Sequence, residues 1–164
     1  MRALGREGMF AGIFLGVLLA AGFALQTAGL ERTTVSSTGF ITGLYVVLTP
    51  LLALVLFRHR IPAATWAGVG LAVVGLALLS GIDAGSATGD LLVLAGSFAA
   101  ALQILVVERY ATRYDAVALT LVEMATSFVG FLALALALGQ ISLPRGWTVW
   151  GALLVTAIFS SALG

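Results

Sequence analysis

Long apolar runs separated by short polar breaks dominate the chain. Six runs stand out: Met9–Leu30, Gly39–Phe57, Ala64–Leu79, Leu91–Val107, Ala116–Leu138 and Trp147–Gly164. A helix needs about 20 apolar residues to cross a hydrocarbon core of roughly 30 Å. None of the runs alternates with the period of two expected of a barrel strand. Helices also satisfy their own backbone hydrogen bonds in lipid. The pattern predicts an all-α integral membrane protein with six transmembrane helices, the short breaks making successive helices antiparallel.

The breaks read as helix ends. Glu31-Arg32-Thr33-Thr34 closes the first span, and Ser36-Ser37-Thr38 offers N-cap oxygens to the second. Arg58-His59-Arg60 closes the second span, and Pro62 suits the opening of the third. The stretch from Gly81 to Asp90 reads as a polar turn, with Asp90 placed to cap the fourth span. Gly139 ends the fifth, and Trp147 and Trp150 suit the membrane interface at the start of the sixth. Arg2 and Arg6 before an apolar run also suggest a signal peptide. That run exceeds the usual h-region and five more spans follow, so it is read as a span.

Composition excludes several classes. The chain is 61% apolar and 9% charged, which leaves too little polar surface to coat a soluble globule. A net charge of +1 argues against a nucleic-acid partner. There is no Cys, and all eight basic residues are Arg, so thiolate chemistry, a Walker A lysine and a Schiff-base lysine are absent. No H-E-x-x-H or G-x-S-x-G occurs, and the single His59 lies between two arginines. The expectation is a protein that is not an enzyme and binds no metal or other cofactor.

The arginines predict orientation. The N-terminus and the second and fourth breaks hold Arg2, Arg6, Arg58, Arg60, Arg109 and Arg113, whereas the other face holds Arg32 and Arg145. The positive-inside rule then puts the N-terminus in the cytoplasm of a multi-pass cell-membrane (plasma or inner-membrane) protein.

Small residues mark packing faces. Gly8, Gly12, Gly16, Ala20, Ala24 and Ala28 recur every four positions, and Ala64, Gly68 and Ala72 repeat the spacing in the third span. Such stripes let backbones approach closely. Within the spans, Glu123 is the one acidic residue, and an acid in a membrane faces a cavity or a partner. Pairing with Arg113 near the cytoplasmic end is the structural alternative to a place on a solute or proton pathway. Tyr45, Thr49, Gln26 and Gln103 are the other substrate-pathway candidates. Pro50 frees a carbonyl one turn upstream and predicts a kink in the second span.

These residues resemble a known family. Residues Gly22 to Leu30, followed by Thr33-Thr34-Val35-Ser36-Ser37, look like the third helix of the EamA-type family in the drug/metabolite transporter superfamily. Gly39 to Leu44 leading to Thr49-Pro50 resembles its fourth helix, and Trp66 to Leu79 its fifth. Gly89-Asp90-Leu91-Leu92 with Ala99-Ala100-Ala101 resembles the opening of its sixth. The resemblance implies a ten-helix bundle of two inverted five-helix repeats, of which this chain covers about helices three to eight. Residues 1–82 would be the last three helices of the N-terminal repeat, and 83–164 the first helices of the second, cut within the last span. It further implies a carrier of small metabolites, often amino acids, working by alternating access. Glu123 stands where family members often carry an amide or other polar residue.

The expected function is therefore a secondary transporter, or a fragment of one, with the lipid bilayer and a small solute as partners. A second copy of the chain, or missing helices of the same protein, would cover its packing faces. The alternative is a non-transporting structural or assembly subunit that packs through the Gly/Ala face.

Overall fold

The structure, a computed structural model, describes residues 4–57, 61–80, 86–139, 146–152 and 154–155. Arg2, the Arg58-His59-Arg60 turn, the first half of the Gly81–Asp90 turn, Arg145 and the end of the sixth span lie outside the described residues. Six helices are described: α1 (Arg6–Leu30), α2 (Val35–Gly43), α3 (Tyr45–Phe57), α4 (Ala63–Ser80), α5 (Ala87–Ala111) and α6 (Ala116–Ala137). No β-strand occurs among the described elements.

Among the described residues, four stretches are long and apolar enough to cross a membrane: Arg6–Leu30, Val35–Leu56, Ala87–Ala111 and Ala116–Ala137. Ala63–Leu78 is a shorter apolar helix. Phe10, Val55, Leu71, Leu91 and Phe128 are among the many large apolar side chains that point outward. Water would penalise such a surface and lipid accommodates it. The protein is an all-α, multi-pass membrane protein set in the bilayer.

Contacts divide the chain into two compact units, Met1–Phe131 and Leu132–Gly164. In the first, Ala11, Leu15 and Leu119 form a buried cluster packed by Leu4, Val106, Val107 and Tyr110. Tyr114 donates to the Glu7 carboxylate over 3.1 Å. Desolvation, with that bond second, holds its phenol above the ordinary tyrosine range. In the second unit, Gly139 sits at φ 65°, a left-handed conformation that ends the helix where its position in the sequence predicts. Trp147 and Trp150 are exposed.

Glycine sets how α1 meets its neighbours. A Cβ on Gly29 would stand 2.8 Å from the Gly89 carbonyl oxygen, and one on Gly96 the same distance from that of Gly22. These contacts run in opposite directions along the chain, so α1 and α5 are antiparallel. On another face, Gly8 meets Tyr114, Gly12 meets Val122, Gly16 meets Thr126 and Ala20 meets Gly130. The rising order shows α1 and α6 to be parallel. The Gly8–Ala20 part of the stripe thus lies against α6 and the turn before it, while Ala24 and Ala28 are half-buried. On α4, Gly68 faces open space among the described residues and Ala72 is half-buried.

Two local expectations are corrected. The second span is capped by Thr34, whose hydroxyl accepts from the Ser37 N–H over 3.1 Å, so Ser36, Ser37 and Thr38 lie inside α2. Hydroxyl residues stay helical there because each bond found relieves their competition with the backbone. Thr38 donates to the Thr34 carbonyl and Ser37 donates to Asp90. The fourth span starts at Ala87 after Ser86, so Asp90 is not its cap. In addition, the second span divides at Leu44, a break the sequence did not announce; Pro50, six residues on, lies inside α3. The Leu44 N–H bonds to the Ile41 carbonyl three residues back, over 3.1 Å, a tightened turn.

Candidate functional site

A cavity of about 130 Å³ opens between α1, α2 and α5. Leu18, Leu19, Phe23 and Ala100 supply apolar wall, and Gly22 and Gly96 supply bare backbone. Four polar side chains converge on it: Gln26 from α1, Thr42 from α2, and Ser97 and Gln103 from α5. Apolar walls with a few placed polar groups are the usual composition of a small-molecule pocket.

Each polar group is held. Gln26 Nε2 donates to Thr42 Oγ1 over 2.9 Å, tying α1 to α2. The buried Ser97 hydroxyl lies 2.9 Å from the Ile41 carbonyl of α2 and 3.0 Å from the Val93 carbonyl of its own helix. Ile41 is also the carbonyl that receives the Leu44 N–H, so Ser97 reaches α2 at its break. Gln103 Nε2 donates to Glu123 Oε1 over 2.5 Å. Glu123 is 5% exposed and does not line the cavity, so Gln103 stands between the carboxylate and the space.

One turn further along α6, the buried Ser127 hydroxyl bonds to the Glu123 carbonyl over 2.9 Å and to the Gly16 carbonyl of α1 over 3.0 Å. Among the described residues, no buried side-chain nitrogen or oxygen lacks a partner. In lipid an unmet polar group costs several kcal/mol, roughly, and this network removes that cost.

Of the candidates named from sequence, Gln26 and Gln103 meet in the cavity and Glu123 lies behind Gln103. Tyr45 and Thr49 do not line it. Tyr45 is exposed, and the Thr49 hydroxyl donates to the Tyr45 carbonyl within α3 over 2.7 Å. The bond recorded for the Glu123 carboxylate goes to Gln103 rather than Arg113. Thr42 and Ser97 were missed as site residues. Small hydroxyl residues beside Gly43 and Gly96 are a weak signal, because nothing in their spacing tells a cavity wall from a helix seam.

A second polar cluster joins the start of α5 to the α1–α2 turn. Asp90 Oδ1 accepts from Thr33 over 2.5 Å and from Ser37 over 2.7 Å. Gly89 makes room for it, since a Cβ there would lie 2.8 Å from the Arg32 backbone.

The fold and site together define a multi-pass helical membrane protein with a small, largely apolar cavity among its spans, into which a few polar groups are set. Residues 2–81, a stretch that takes in α1 to α4, match the EamA-like transporter family. The chain is similar to an uncharacterized transporter of Archaeoglobus fulgidus, with 39% identity over 83 residues. The match takes in 51% of this chain and 27% of that protein, so about a quarter of the curated relative is represented. No solved structure matches. The matched half supplies two walls of the cavity, α1 and α2, and α5 beyond it supplies the third.

Proposed function

We propose that the protein is a secondary transporter that moves small metabolites across the cell membrane by alternating access. The observation that carries this reading is the meeting of two carboxamides, Gln26 and Gln103, and two hydroxyls, Thr42 and Ser97, in one cavity among spans. Solute sites of secondary carriers lie between repeats near the bilayer midplane. On this reading residues 1–82 and 83–164 come from successive inverted repeats, and Glu123 acts on the solute through Gln103. The N-terminus is cytoplasmic, as the arginine asymmetry favours.

Uptake of a panel of labelled amino acids and amines into proteoliposomes carrying the protein tests the proposal. Flux of at least one solute above empty liposomes, reduced at least roughly tenfold by Gln26→Ala or Gln103→Ala, is expected. The open Gly68 face of α4 favours a second reading, a packing subunit of a larger assembly. Folded protein that carries nothing in the panel and co-purifies with one specific membrane partner would establish that reading instead.

A further inference from the structure

A carboxamide is a donor at one end and an acceptor at the other, so whatever grips one end decides which end is left to face a ligand. Gln103 is gripped in this way. Its Nε2 donates to Glu123 Oε1, and the same side chain lines the cavity. An ionised carboxylate only accepts, so it draws the amide NH2 toward itself and leaves the Gln103 carbonyl oxygen for the cavity. A protonated carboxyl carries an O–H that needs an acceptor. The Gln103 carbonyl oxygen is the partner already beside it, and turning the amide over brings that oxygen to the O–H.

We infer that Gln103 is a polarity relay: it transmits the protonation state of Glu123 to the cavity and switches that wall from hydrogen-bond acceptor to donor. With Glu123 ionised, the cavity favours a solute's N–H or O–H groups. When Glu123 takes up a proton from water, the Gln103 NH2 faces inward and the cavity favours carbonyl or carboxylate oxygens. The other cavity groups keep their polarity. Gln26 is tied to Thr42, and the Ser97 hydrogen is engaged by backbone carbonyls, so the reversal is confined to Gln103. Gln103 is thus a specificity-determining and positioning residue, and its role rests on the cavity's being a solute site.

The charged neighbours are few. α6 has no other ionisable side chain. α1 has Arg6 and Glu7 in its first turn, with Glu7 accepting from Tyr114. α5 has Asp90 at its start, bonded to Thr33 and Ser37, and Glu108, Arg109 and Tyr110 in its last turns, more than one turn from Gln103.

The chain has three glutamines, Gln26, Gln103 and Gln140, so isotope-labelled glutamine makes the relay visible by infrared spectroscopy of the purified protein in liposomes. A step from alkaline to acid should raise a carboxylic-acid band and shift one glutamine carbonyl band together. Both changes should vanish in Glu123→Gln, and the glutamine shift alone should vanish in Gln103→Leu or in the milder Gln103→Met. Arg109→Gln should keep both. A carboxyl band that titrates without a glutamine shift overturns the relay, as does a response lost in Arg109→Gln but kept in Glu123→Gln.

Uptake supplies the second readout. The ratio of amine to carboxylate uptake should change roughly tenfold across the step and become flat in Gln103→Leu. Coupled bands without any flux would leave the relay standing and remove the transport reading. Flux with uncoupled bands would do the reverse.

Discussion

Gly16 and Glu123 meet backbone to backbone: a Cβ on Gly16 would stand 2.6 Å from the Glu123 carbonyl oxygen. The absent side chain lets α1 press on the turn of α6 that carries the buried acid. There Ser127 bonds to both carbonyls, of Gly16 and of Glu123.

Gly16→Ala should therefore force the helices apart, because backbone and the Thr126 Cβ, 2.5 Å away, block the added methyl. Overpacking of this kind costs about 1–3 kcal/mol. Gly68→Ala, with nothing within 4 Å, should be neutral or stabilise by about 0.5–1 kcal/mol through helix propensity. Thermal unfolding of the two variants in one detergent compares them directly; equal midpoints would contradict the packing.

The Gln103–Glu123 pair should behave asymmetrically. Gln103→Leu leaves a buried carboxyl without its donor and should destabilise by about 1–3 kcal/mol. The double variant Gln103→Leu with Glu123→Leu removes both polar groups and should recover most of that loss. Denaturant unfolding of the single and double variants measures it, and simple additivity would show that the two residues are not coupled.

Asp90 should act as a latch between α5 and the α1–α2 turn. Asp90→Ala removes the shared acceptor of Thr33 and Ser37 and should lower stability, the effect being moderated by solvent screening. Asp90→Asn keeps an oxygen and should cost less. A double-mutant cycle with Ser37→Ala should return a favourable coupling, and a value of zero would remove the latch.

Orientation is open to a clean test because the chain has no Cys. Glu31→Cys, in the exposed turn after α1, should react with a membrane-impermeant thiol reagent on intact cells. Thr112→Cys, in the exposed turn after α5, should react only after permeabilisation. The opposite pattern would invert the arginine-based topology.

How much of this was legible in the chain differs from element to element. The observed ranges Arg6–Leu30 and Ala116–Ala137 lie close to those read from hydropathy, and Gly139 ends α6 as its place predicts. Spans are local: each helix satisfies its own backbone, so apolar length alone specifies it. The stripe Gly8, Gly12, Gly16 and Ala20 was also visible, because its spacing of four keeps it on one face.

What lies on the other faces was not. These helices are apolar nearly all round, so no amphipathic stripe fixes which way each is turned. Their rotation was decided by close glycine contacts such as Gly29 with Gly89 and Gly22 with Gly96. That rotation brings Thr42 to Gln26, Ser97 to Ile41 and Gln103 to Glu123. The sequence by itself determined a membrane-embedded helical chain and the polar residues worth watching within it. Only tertiary packing decided which of them share a cavity, because that depends on contacts between residues far apart in the chain.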